Sequence, residues 1–153
     1  MNEQLQVWLG DFLTEIGAVA GTLHLCEHGG LRLAAAVHIP EVVRQTVAWV
    51  PSGKGMAGLA LERGEPVTTC NLSDDRSGNV RPGAKAVNAQ AAVAMPIRSR
   101  EGVIVAVLGA AFAEEREIGE SELAAFAERA RTLALTQAFA PENLPAQSHS
   151  SNE

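Results

Sequence analysis

The sequence predicts an α+β fold. One central, mostly antiparallel five-stranded sheet carries the terminal helices on one face and a short-helix and loop segment on the other. Three observations predict it. Apolar residues recur at helical period near both ends. Between them lie runs that alternate or are continuously apolar, as strands are. Turn formers separate those runs at spacings that suit hairpins.

The elements follow in order. Leu5, Leu9, Phe12, Leu13 and Ile16 form one helical stripe, and Gly17 supplies a stop. From Ala18 the period changes, and residues 22–28 alternate like a strand. Gly29-Gly30 signals a two-residue hairpin turn, with residues 31–38 returning. That turn sets His28 opposite Leu31, Glu27 opposite Arg32, Cys26 opposite Leu33 and His24 opposite Ala35. The opposite charges of Glu27 and Arg32 support this register. Under it His38 faces Gly21.

Pro40 to Val50 reads as a short helix, broken by Pro51-Ser52-Gly53. Met56 to Arg63 reads as another, ending at Gly64, and Pro66 to Cys70 as a β-branched strand. Residues 71–90 are rich in Asn, Asp, Gly and Pro and read as a long loop. Ala91 to Arg98 and Gly102 to Phe112, joined by Ser99-Arg100-Glu101, form a second hairpin. Their near-continuous apolar character marks central strands covered on both faces. Glu120 to Phe139 is the last helix, with Leu123, Phe126, Ala127, Ala130, Leu133 and Ala134 on its stripe. One domain over residues 1–139 and a disordered tail over 140–153 are expected.

Composition narrows the function classes. The chain has 153 residues and a net charge of −6. Its 18 carboxylates against 12 Lys and Arg, and its lack of Tyr, speak against nucleic acid as a partner. The longest apolar run, Val103 to Ala113, is far short of the ~20 residues that span a bilayer, so no membrane partner is expected. The first residues carry no basic region ahead of an apolar stretch, so no signal peptide is expected. Two cysteines are too few for a secreted disulfide framework, and a cytoplasmic location with reduced thiols follows.

Three segments carry a family resemblance. They are Pro51-Ser52-Gly53-Lys54-Gly55-Met56-Ala57-Gly58-Leu59-Ala60, Arg63-Gly64-Glu65-Pro66-Val67, and Asn71-Leu72-Ser73-Asp74-Asp75. The hairpin from Met95-Pro96-Ile97 to Val103–Gly109 adds to them. With this order of elements the chain resembles a GAF domain over roughly Leu5 to Gln137. The resemblance implies a small-molecule-binding sensory domain. Cyclic nucleotides, tetrapyrroles, haem and amino acids are all family ligands, and some members bind nothing known. It also implies a homodimer through the terminal helices. The chain is too short for an output domain as well, so a signal is expected to pass to a partner or through dimerisation.

On this reading the ligand sits between the sheet and the 51–90 segment. The candidate pocket residues are His38, Lys54, Met56, Cys70, Asp74, Asp75, Asn79, Arg81 and Met95. Small residues at Ala34, Ala36, Ala92 and Ala94 leave room above the sheet or let helices pack close. Two alternatives stand beside it. One is an oxidoreductase resembling the free methionine-R-sulfoxide reductases, with Cys26 and Cys70 as its catalytic residues. Those relatives carry further cysteines, and here residues 76–98 hold none. The other is a ligand-free dimerisation module.

Two motifs have a functional and a structural reading. Gly53-Lys54-Gly55-Met56-Ala57-Gly58 matches the dinucleotide fingerprint G-x-G-x-x-G but lacks the βαβ context that fingerprint needs. Its glycines serve a tight turn and close packing, or present N–H groups with Lys54 toward an anion. His24, Cys26 and His28 share a strand face, yet same-face neighbours stand roughly 6.5–7 Å apart, wide for one metal ion. No metal site is expected. No Cys-His dipeptide marks a covalent chromophore, and no hydrolase constellation is present.

Overall fold

The computed structural model describes residues 3–69 and 90–134. The order is α1 (Glu3–Ile16), β1 (Ala20–Glu27), β2 (Gly30–Val37), α2 (Glu41–Thr46), β3 (Trp49–Pro51), α3 (Gly55–Arg63), β4 (Val67–Thr69), β5 (Ala91–Arg98), β6 (Ile104–Phe112) and α4 (Glu120–Ala134). Apart from Gln90, the expected 71–90 loop lies outside the described residues, and so does the expected tail. Among the described residues no helix is long and apolar enough to cross a membrane.

Six strands among the described residues form one sheet in the order β3-β2-β1-β6-β5-β4, and every neighbouring pair is antiparallel. The count exceeds the expected five because the predicted 40–50 helix ends early. It stops at Thr46, and Trp49–Pro51 pairs with Gly30–Arg32 as an edge strand. Trp and Val favour extended backbone, and Val50 becomes buried against the α3 side of the sheet.

Both faces of the sheet are covered, as the apolar runs foretold. Odd positions of β5 and even positions of β6 (Val93, Met95, Ile97, Leu108, Phe112) pack under α1 and α4 with Leu23 and Leu25 of β1. The intervening positions, Ala92, Ala94, Val107 and Ala111, face α3 with Ala20, Leu31 and Val50. α1 buries Leu5, Leu9, Phe12 and Leu13, and Gly17 closes it at φ 80°. Phe126 of α4 stacks 6.4 Å from Phe112.

β3 covers only the first residues of β2. Further along that open edge the side-chain amide of Gln6 on α1 does the pairing. It donates to the Ala36 carbonyl and accepts from the Ala36 N–H at 3.1 Å. An unpaired strand edge would otherwise expose those groups.

The first hairpin departs from the expected register. The turn residues are His28 and Gly29, at φ 24° and 80°, so Glu27 pairs with Gly30, Cys26 with Leu31 and His24 with Leu33. A bulge between Leu23 and His24 then brings Leu23 opposite Ala35 and Gly21 opposite Val37. A type I′ turn needs positive φ at both positions. Gly30 is instead the first residue of β2, where the Trp49 ring packs so close that a Cβ would lie 2.5 Å from it. Glu27 and Arg32 still form their ion pair, now as diagonal neighbours.

Two glycines give opposite expectations. A Cβ on Gly21 would meet the Gly109 carbonyl at 2.6 Å and the Leu13 methyls at 2.7 and 2.8 Å. The methyls can rotate away, but the carbonyl belongs to the sheet. Gly21→Ala is expected to cost on the order of 1–3 kcal/mol by overpacking. Gly10 sits mid-helix in α1 with nothing within 4 Å of such a Cβ. Gly10→Ala is expected to add about 0.5–1 kcal/mol. Chemical denaturation of the two variants checks both, and equal signs would refute the packing argument.

Candidate functional site

A cavity of about 140 Å³ lies between the small-residue face of the sheet and the α2–α3 segment. Its floor is Ala20, Thr22 and His24 of β1 with Ala92 and Ala94 of β5 and Gly109 and Ala111 of β6. Val43, Val47 and Val50 form one wall, and Lys54 to Ala57 at the start of α3 form another. Among the described residues, the lining side chains apart from His24, Thr22 and Lys54 are aliphatic or thioether.

The start of α3 explains the glycine motif. Gly53 and Gly55 take φ of 87° and 65° around an extended Lys54. A Cβ on Gly58 would lie 2.5 Å from the Pro51 carbonyl, so this glycine lets the 51–53 turn press on the helix. Gly58 N–H makes the first intrahelical bond, to the Lys54 carbonyl at 3.0 Å. The N–H groups of Gly55, Met56 and Ala57 precede it and have no intrahelical acceptor. At the far end Gly64 caps α3 at φ 72°, and Arg98 of β5 donates to its carbonyl at 2.9 Å.

His24 is the buried polar residue of the core, 2% exposed. Its Nε2 lies 2.9 Å from the carbonyl of Val47, the residue that ends α2. A carbonyl can only accept, so Nε2 carries the proton. Burial pushes the ring's pKa below 6.5 by penalising the imidazolium, and the Val47 bond opposes this more weakly. The ring is therefore neutral near pH 7, and Nδ1 is a bare acceptor. Nδ1 is enclosed, and among the described residues it has no hydrogen-bond partner.

The structure sorts the sequence candidates. Lys54 and Met56 line the cavity. Met95 does not. It is 1% exposed in the core beneath the terminal helices, because the alternation of β5 sends it to the opposite face. His38 also stands apart. It follows β2 at φ 58°, is exposed, and its Nδ1 lies 3.1 Å from the Val19 carbonyl. Cys70, Asp74, Asp75, Asn79 and Arg81 lie outside the described residues. Of the small residues, Ala92 and Ala94 line the cavity, whereas Ala34 packs in the terminal-helix core.

Cys26 packs against the α3-side core, and burial pushes its thiol up to about 11. A thiol so placed is almost wholly protonated at neutral pH and a poor nucleophile. His28 sits in the exposed hairpin turn rather than beside His24 and Cys26. Among the described residues no three His, Cys, Asp or Glu side chains gather as a metal site. His24 is a lining residue that lies outside the sequence candidates for the pocket. Its only local signal was a histidine in an apolar strand, and Val47, its partner, is 23 residues away.

The sequence matches the family model for the GAF domain over residues 6–136, and the chain belongs to that family. No curated protein matches it. Among solved structures it is similar to the GAF domain of a phosphoenolpyruvate-protein phosphotransferase from Coxiella burnetii. That match has 23% identity and a TM-score of 0.72, over 90% of this chain and 82% of that one. It is also similar to a type II free methionine-R-sulfoxide reductase from Thermoplasma acidophilum, at 16% identity and TM-score 0.68, over 86% and 88%. A domain assigned to a two-component sensor histidine kinase of Sinorhizobium meliloti matches at 15% and 0.67, over 100% and 99%. Regulatory domains and enzymes share this fold, so the fold alone does not separate them.

Two measurements check the site chemistry. The folded pKa of His24 lies below its unfolded value of 6.5. As pH falls below that value, the unfolded chain takes up a proton that the folded chain refuses. Stability is therefore held above about pH 6.5 and lost toward the folded pKa. His24→Leu should lose less Tm than the parent between about pH 7.5 and about pH 5.5. A parallel decline in both proteins would show that His24 contributes nothing to it. For Cys26, iodoacetamide labelling of the Cys70→Ser protein at neutral pH should run on the order of a hundredfold slower than that of an ordinary cysteine. Labelling at the ordinary rate would contradict the buried thiol.

Proposed function

We propose that this GAF domain is a sensory or regulatory module that binds a small molecule in the cavity beneath α2 and α3. The observation that carries the reading is the cavity itself. It is a concave apolar space with a few convergent polar groups, the ordinary form of a small-ligand site. Occupancy is conveyed to a partner or through a homodimer formed by the terminal helices. Val7, 63% exposed on α1, supplies apolar surface for such a contact. Scarce cysteine suits a cytoplasmic setting.

A reductase using cysteine chemistry draws less support. It shares the fold, but the raised thiol of Cys26 weighs against that residue as nucleophile.

Native mass spectrometry of freshly purified protein tests the leading reading. A co-purified small molecule at one per chain is expected, on a dimer. Ala57→Leu, which grows a side chain into the cavity, should release the molecule and leave the subunit mass otherwise unchanged. A cavity that stays empty in a parent that also gives no thermal shift across nucleotides, amino acids and haem would overturn the sensor. Methionine sulfoxide reduction lost in Cys26→Ser would favour the enzyme.

A further inference from the structure

The cover of the cavity is unequally built along its length. Its α3 part is a nine-residue helix that buries Met56, Gly58 and Ala60 and is capped by Gly64. Its α2 part is weaker on every count. α2 has six residues, of which only Val43 is buried. A helix that short is not stable alone. Pro40 at its N-cap makes no side-chain bond to the first N–H groups. The Glu41–Arg44 ion pair and the Gln45–Glu41 bond are exposed and contribute little. Val42 turns outward, 68% exposed.

Both ends of this segment are fixed to β2. Before it, His38 stands at φ 58°, a left-handed conformation uncommon for a residue with a side chain. After it, the Ala48 carbonyl accepts the Leu33 N–H at 3.0 Å, and Trp49–Pro51 pairs with Gly30–Arg32. Between these ends the segment is tied to the floor of the cavity, where Nε2 of His24 on β1 donates to the Val47 carbonyl at 2.9 Å. Ile39, Val43 and Val47 line the cavity, so lifting residues 39–47 uncovers it. We infer that residues 39–47 are a lid that opens as a unit while the sheet and α3 stay folded, and that the His24–Val47 hydrogen bond is its latch. The small-molecule reading above supplies the purpose on which the lid rests. The closed lid sets Val43 and Val47 against an occupant, and the open lid widens the way in and out. One net hydrogen bond shifts the open fraction by about tenfold, which regulates access without unfolding the domain.

Hydrogen exchange followed residue by residue tests the lid without any ligand. The Arg44 and Val47 amides donate to the Pro40 and Val43 carbonyls, each at 2.9 Å. In the parent their protection should be on the order of a hundredfold or more below that of the slowest β6 amides. Their rates should stay flat across low urea, because a local opening exposes little surface, while those of β6 climb. In His24→Leu the two lid amides should exchange about tenfold faster than in the parent. His24→Gln, whose side-chain amide supplies a donor near the place of Nε2, should return them toward the parent rate. Rates that stay at the His24→Leu level would overturn the hydrogen bond as the cause. Lid amides as slow as those of β6, and climbing with urea, overturn the lid. Lid rates unchanged in His24→Leu overturn the latch. If that variant fails to fold, the His24 Nε2 proton of the parent decides. A latch exchanges through the same opening as the lid amides, and an Nε2 proton held as long as the β6 amides overturns it. A cavity found empty by native mass spectrometry would instead count against the small-molecule reading, so the two failures are distinct.

Discussion

The two faces of the sheet differ in side-chain size, and the rest of the structure depends on that difference. β5 sends Val93, Met95 and Ile97 under the terminal helices but only Ala92 and Ala94 toward α3. β6 does the same, with Leu108 and Phe112 on one side and Gly109 and Ala111 on the other. The large face packs solidly against α1 and α4 and fixes the sheet. The small face leaves volume that collapses unless the covering segment is held off. Its supports are named bonds. The 51–53 turn presses on Gly58, Arg98 ties the end of α3 to the β5–β6 hairpin, and His24 holds the end of α2 at Val47. The cavity is what remains between a small-residue floor and a cover pinned at three points.

His24 joins the floor of the cavity to its cover. Its Nε2 fastens α2, a helix of six residues that is too short to be stable alone. Doing so fixes the tautomer, which turns Nδ1 into an acceptor. The strand bulges immediately before this residue, between Leu23 and His24. Bulges re-aim side chains and cluster beside functional sites. The bond that completes the fold thus fixes the tautomer of a ring that lines the cavity.

Much of this was legible in the sequence, and the reasons for the remainder are physical. The stripe Leu5–Leu9–Phe12–Leu13 gave α1, the apolar runs gave β5 and β6, and the glycines around Lys54 gave the start of α3. The register of the first hairpin was not legible. His28-Gly29 and Gly29-Gly30 are adjacent candidates, and Trp49, packed over Gly30, decides between them from 19 positions away. β3 was hidden because three residues carry too little pattern, and pairing with β2 overrides the helical run before it. Met95 was assigned to the wrong face because a strand buried on both sides shows no polar alternation to tell them apart. His24 escaped for the same reason as the register: its partner is distant in sequence.

The shared fold leaves sensing and catalysis open, so the choice rests on what the site offers a ligand. A thiol-based reaction needs a thiolate, and Cys26 is packed where the thiolate is disfavoured. A binding site needs shape and a few polar anchors, and β1 carries part of both. β1 places Thr22 and His24 in the cavity floor and Leu23 and Leu25 beneath the terminal helices. Because alternate side chains of one backbone face the two layers, a shift of His24 is also a shift of the residues on which α1 rests. α1 in turn clamps the open edge of β2 through Gln6 and joins α4 through Glu15 and Arg129 at 2.6 Å. Cavity and terminal helices therefore share one strand, and a displacement on one side of it is felt on the other.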